Sequence, residues 1–186
     1  MLNSELIDYV LKDADGIPPL ASSLKNYSTE AFNYKPSGGW SAGECIDHLL
    51  KINEKYFPIF EDISRKYSTA GRKEYKTSFL GKFIIKSVNP DTPRKTKTLP
   101  GFYPSNSEFQ TSIVDEFLEQ HRKIRTYIER FREHDIKKIK VTSPLSSLVK
   151  YNLGDACRII IYHDLRHLGQ AHRAAVAYAA YKNEIR

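Results

Sequence analysis

Cysteine is scarce, with only Cys45 and Cys157 in 186 residues. Two thiols exclude a metal site of four thiolates and a framework of several disulfides, and both lie on apolar-periodic segments, which predicts buried, reduced side chains. Long apolar runs are missing as well: no stretch approaches the roughly 20 residues a membrane-spanning helix needs. The opening MLNSELIDYV has neither a cationic head nor a small-residue cleavage site. The expectation is a soluble, cytoplasmic protein with no membrane partner. Internal repeats and low-complexity tracts are absent and period-two alternation is weak, so neither a solenoid nor a sheet-dominated fold is expected. The zincin pattern His-Glu-x-x-His is absent too.

Positive charge, by contrast, is in excess, with a formal net charge of +7. Most of it sits in residues 67–106, where Arg72, Lys73, Lys76, Lys82, Lys86, Arg94, Lys95 and Lys97 face only Glu74 and Asp91. A basic connection of this kind can follow phosphates or an anionic substrate. No helix-turn-helix, RNA-recognition or zinc-finger pattern accompanies it, so it reads as a solvated crossover loop and nucleic acid is not an expected partner.

Residues 1–186 are enough for one domain with a buried core. Apolar residues recur at helical spacing in four long segments. The first spans about Asn3 to Tyr27 and is interrupted at GIPPL, where Gly and paired Pro cannot continue a regular turn. The second opens at Ser41 with a Ser-x-x-Glu capping box completed by Glu44, Trp40 stapling the entry and Pro58 bending the helix further on. A third is expected from Ser107, with Gln110 completing a similar box, to Glu133; a fourth runs from Asn152, paired with Asp155, to about Lys182. The pattern is an all-α four-helix bundle with a long crossover between the second and third helices. Within that crossover SFLGKFIIKSV reads as a short amphipathic helix, a strand pair being the less favoured alternative.

The fourth helix carries IIYHDLRHLGQAHR, with two histidines four residues apart. At about 100° per residue, His167 falls near the middle of the apolar arc and His163 toward its edge. His48 sits at the margin of the second helix's stripe, so three imidazoles from two helices can meet between them. Burying neutral imidazoles without partners leaves donors and acceptors unsatisfied at about 1–3 kcal/mol each. A divalent ion removes much of that cost by taking one nitrogen from each ring. Asp164 and Gln170 are candidates to hold the ligand rings or touch substrate. A histidine that simply hydrogen-bonds in a core is the competing reading, and it suffices for His121, His134 and His172, although His121 lies on an apolar stripe.

GWSAGECIDHLL followed by YHDLRHLGQAH resembles the DinB/YfiT-like superfamily, whose members carry a Trp-Ser-x-x-Glu-x-x-x-His segment and a late His-x-x-x-His segment. The resemblance covers most of the chain, since the helix order and the long second crossover match as well. It implies a four-helix bundle, often a homodimer, that holds a divalent metal such as zinc or nickel through three histidines, here His48, His163 and His167.

Three neutral imidazoles leave a divalent ion a position for water or substrate, the arrangement of catalytic sites. Relatives in the superfamily transfer or isomerise with low-molecular-weight thiols such as bacillithiol or mycothiol. The resemblance therefore implies thiol-dependent S-transfer to a small-molecule substrate, and metal-dependent hydrolysis of an amide or ester is the alternative. S-transfer is favoured because no carboxylate stands out as a general base and a thiolate needs none. Arg72, Lys73 and Lys76 of the crossover, or Arg166 beside the ligands, would then bind carboxylates of the thiol. A non-catalytic, stress-related dimeric helical scaffold is the reading outside enzymology.

Overall fold

The computed structural model describes residues 1–66, 74–92, 98 and 101–184. Helices dominate it. The first predicted segment is two pieces, α1 (Asn3–Asp15) and α2 (Ile17–Ser23), followed by a 3-10 turn at Leu24–Asn26. Gly16 and the prolines at the start of α2 make the break, as GIPPL predicts. A short α3 (Thr29–Asn33), capped by the Ser28 hydroxyl on the Ala31 amide, leads to α4 (Ala42–Lys66). The Ser41–Glu44 capping box is present: the Glu44 amide donates to Ser41 Oγ at 3.1 Å and the Ser41 amide to Glu44 Oε2 at 2.9 Å. Pro58 removes one backbone hydrogen bond, yet α4 continues through it.

SFLGKFIIKSV is helical, forming α5 (Phe79–Val88) with Ser78 as its cap. The third long helix, α6, begins later than expected, at Ile113, and runs to Arg130 before a 3-10 turn at Phe131–Glu133. Ser107 and Gln110 do not open it. The Asn33 side chain grips the Phe109 backbone on both sides, donating to its carbonyl at 3.0 Å and accepting from its amide at 2.8 Å. That competes with helix, because the peptide groups a first turn would use are already satisfied. A hairpin not expected from sequence follows, β1 (Lys140–Thr142) antiparallel to β2 (Lys150–Asn152), with Val141 opposite Tyr151. Its inward residues are buried and its lysines exposed.

The chain ends in α7 (Leu153–Glu184). The expected Asn152–Asp155 cap is formed, the Asp155 amide donating to Asn152 Oδ1 at 2.8 Å. α4 packs on both α6 and α7, and α1 touches the same two helices. One continuous apolar cluster from Leu6 to Ala175 fills the space between them. Cys45 and Cys157 are free and buried within it, and burial pushes both thiols up, as expected for inert core cysteines. Among the described residues no helix is long and apolar enough to cross a membrane.

Candidate metal centre

The packing of α4 on α7 sets His48 opposite His163 and His167. One ligand-type atom from each residue lies within 4.8 Å of the other two. Ring centroids are 4.6 Å apart for His48–His167 and for His163–His167, and 5.1 Å for His48–His163. His48 is buried and the two α7 histidines are half-buried.

His48 Nδ1 lies 2.8 Å from the Phe102 carbonyl, which can only accept, so this nitrogen carries the proton and Nε2 keeps its lone pair. That Nε2 faces His163 Nε2 at 3.3 Å. Two nitrogens bound to one tetrahedral ion at 2.0–2.1 Å stand roughly 3.3–3.4 Å apart. The donor set and this separation fit a divalent cation.

Electrostatics keep the rings neutral. Burial lowers the pKa of His48, and burial with neighbouring imidazoles lowers that of His163 well below the ordinary range. His167 is held down to about 3, chiefly by burial and then by His48 and Arg166. Neutral rings present lone pairs, the form that binds metal.

The crossover reaches the site through fixed contacts. Asp47 accepts the Ser105 amide and hydroxyl, each at 2.8 Å, and Lys51 Nζ at 3.0 Å. Lys51 also donates to the Tyr103 carbonyl at 2.6 Å. Residues 102–105 are thus strapped to α4, which is what aims the Phe102 carbonyl at His48. Trp40 closes another side, its ring 5.0 Å from His48 and stacked at 6.0 Å on His167. Sequence reasoning gave Trp40 only a stapling part and overlooked Asp47 and Phe102. The Trp-Ser-x-x-Glu spacing was the available signal for Trp40; nothing local marks a carbonyl from 54 residues away.

The three other candidates behave differently. Asp164 is fully buried and turns to Asn53, whose amide nitrogen is 3.3 Å from its Oδ2, rather than to an imidazole. Burial raises its pKa well above the carboxylate range. Gln170 lies against His167 and partly offsets the fall of its pKa. Arg166 donates from Nη1 to the carbonyls of Asn89 and Thr92 at 3.1 and 2.7 Å, tying α7 to the exit of α5. Among the described residues, Nδ1 of His163 and of His167 is buried without a partner.

The remaining histidines stay outside the centre. His121 is buried against Phe117, with the Ala14 carbonyl nearby but outside hydrogen-bond geometry, and burial lowers its pKa to about 4. His134 lies 3.1 Å from the Arg130 carbonyl and His172 2.9 Å from that of Leu20, ordinary packing contacts. Of the crossover cations expected to serve a cosubstrate, Arg72 and Lys73 lie outside the described residues, while Lys76 precedes α5.

Searches of curated proteins and of solved structures return no match to this chain. A family model does match, described as the DinB superfamily and aligned over residues 19–171. That span contains all three clustered histidines, Trp40, the whole of α4 and α6 and α7 as far as Ala171, and the protein belongs to the DinB superfamily.

Proposed function

We propose that His48, His163 and His167 hold one divalent cation, zinc or nickel, and that the protein uses it for thiol-dependent S-transfer to a small electrophilic molecule. The observation that carries this reading is that His48, His163 and His167 bring ligand-type nitrogens within 4.8 Å of one another, with the His48 tautomer fixed by the Phe102 carbonyl. A divalent ion with three imidazole ligands keeps an open position and acidifies a thiol or water placed there. Around it the chain's own groups set orientation: Trp40 walls the site with an apolar face, and the strap at Asp47 keeps the Phe102 carbonyl in place.

Carboxylate chemistry supports the thiol over water as nucleophile. Glu44 is committed to the Ser41 cap and to Lys35 at 2.6 Å, Asp47 to Ser105 and Lys51, and Asp164 is buried against Asn53 with its pKa pushed well up by burial. Hydrolysis by activated water gains from a nearby general base, whereas sulfur displacing a leaving group or opening an epoxide does not need one. The proposal extends to a cytoplasmic homodimer, a single domain over residues 1–186.

Metal analysis of protein purified without a nickel column tests the first step: occupancy that disappears in His163→Ala is expected. Incubation with bacillithiol and an epoxide or chloro electrophile tests the second. Conjugate above the uncatalysed rate, lost in His163→Ala, is the expected result; its absence removes the transferase reading. Cleavage of an activated ester without thiol would instead favour the hydrolase.

A further inference from the structure

A groove of about 560 Å³ lies between α5 and α7, away from the histidine centre. Its rim carries Lys76, Lys82, Lys86 and Arg158, and among the described residues no carboxylate lines it. Arg158 and His167 are nine residues apart on α7, which at about 100° per residue puts them roughly half a turn apart. The groove and the metal centre thus occupy opposite sides of one helix.

The rim is built, not loose. The Asn152 amide holds the Lys76 carbonyl at 3.0 Å, Arg166 holds that of Asn89, and Ser78, the cap of α5, is hydrogen-bonded to buried Asp155 at 2.6 Å. Lys82 and Lys86 are one helical turn apart on α5, so both face the same edge. Arg158 lies over the Tyr162 ring at 5.6 Å and its guanidinium engages the hydroxyls of Tyr162 and Tyr75, while its Nε has no acceptor among the described residues. Asp13 feels its charge. Four like charges held around one concavity repel each other, and an anion with several oxygens would relieve the repulsion while accepting their hydrogen bonds.

We propose that this groove is an anion site for a phosphate-class group, independent of the thiol-transfer reading. Phosphate suits it better than a single carboxylate, because a phosphate presents more oxygens and more charge to cations on three sides. The group can arrive on a soluble phosphate ester or on a lipid headgroup. Phe79 and Phe83 stand beside the lysines on α5, 90% and 68% exposed, where an acyl boundary would cover them.

Nuclear magnetic resonance titration of the full chain with inorganic phosphate is the test. Saturable shifts confined to residues 76–89 and the surroundings of Arg158 are expected, with affinity falling at least about tenfold in Lys82→Glu/Lys86→Glu, which replaces two of the four rim cations by anions. An equal charge change on α6, Arg122→Glu/Lys123→Glu, leaves the affinity unaltered. Dispersed shifts that do not saturate, or full affinity in Lys82→Glu/Lys86→Glu, overturn the proposal. Sedimentation with phosphatidylglycerol vesicles, against phosphatidylcholine, then separates the sources. Binding abolished by Phe79→Ser/Phe83→Ser, with the phosphate titration intact, assigns a lipid headgroup, and no sedimentation assigns a soluble ester. Vesicle binding without a saturable phosphate titration counts against the groove.

Discussion

Trp40 is the only tryptophan in the chain, and it packs on two of the three clustered histidines. Its fluorescence therefore reports on the centre. Titration with Ni²⁺ or Co²⁺ is expected to quench it until one ion per chain is bound, and His163→Ala is expected to abolish the quenching; stoichiometric binding with no change in emission would contradict the geometry. Asp47 acts at one remove. Asp47→Ala removes both Ser105 anchors and leaves Lys51 on the Tyr103 carbonyl as the remaining tie, so the Phe102 carbonyl that orients His48 is held less firmly and metal affinity is expected to drop about 10–100-fold, the usual effect of losing a ligand's support. Competition against a chromophoric chelator measures it. The pairing of His163 with His167 was legible from their four-residue spacing alone. The tautomer of His48 was not, because its partner is a backbone carbonyl on a distant connection.

At the scale of elements, buried Asp155 joins the entrance of α7 to α5. It accepts from the Tyr75 hydroxyl, from the Ser78 amide at 3.0 Å and hydroxyl at 2.6 Å, and from the Asn152 amide at 3.4 Å. Asp155→Ala leaves these donors without an acceptor in a dry place, and a loss of about 3 kcal/mol or more in denaturant unfolding is expected. Gly81 makes a sharper test, since a Cβ there would overlap the Asp155 carboxylate and press on Ser78 Oγ. Helix propensity alone favours Gly81→Ala by about 1 kcal/mol. The overlap is expected to reverse that sign, with a net destabilisation of about 1–3 kcal/mol. The helices α4, α5 and α7 were readable because their caps and periods agree. α6 was misplaced at its start because Ser107 and Gln110 imitate a capping box while Asn33, 76 residues from Phe109, takes the backbone groups that box needs. The hairpin escaped because three-residue strands are too short for alternation to stand out.

The whole molecule is expected to be acid-labile. His121 has a folded pKa of about 4 against an ordinary value of 6.5, and burial is the main cause. Its unfolded form takes a proton first as the pH falls, so stability is full above about 6.5, declines between 6.5 and 4, and levels off below. The amount is on the order of 3 kcal/mol for this group. The clustered histidines, with pKa values lowered in the same direction, add to it. His121→Leu removes two ring nitrogens that lack partners among the described residues, and is expected to flatten the decline without altering metal binding. Urea midpoints at successive pH values check this; an unchanged slope would show that His121 is not the group responsible.

Periodicity, caps and the two histidine segments determined the helical class, the order of the long helices and the residues available to a metal. These are local properties: an apolar stripe must be buried, and a cap satisfies amides within its own turn. Which side chains orient those histidines, where α6 begins and how the crossover lies on α4 were decided only by tertiary packing. Each depends on a hydrogen bond between residues far apart in the chain, and such a bond exists only once the helices have brought its donor and acceptor together.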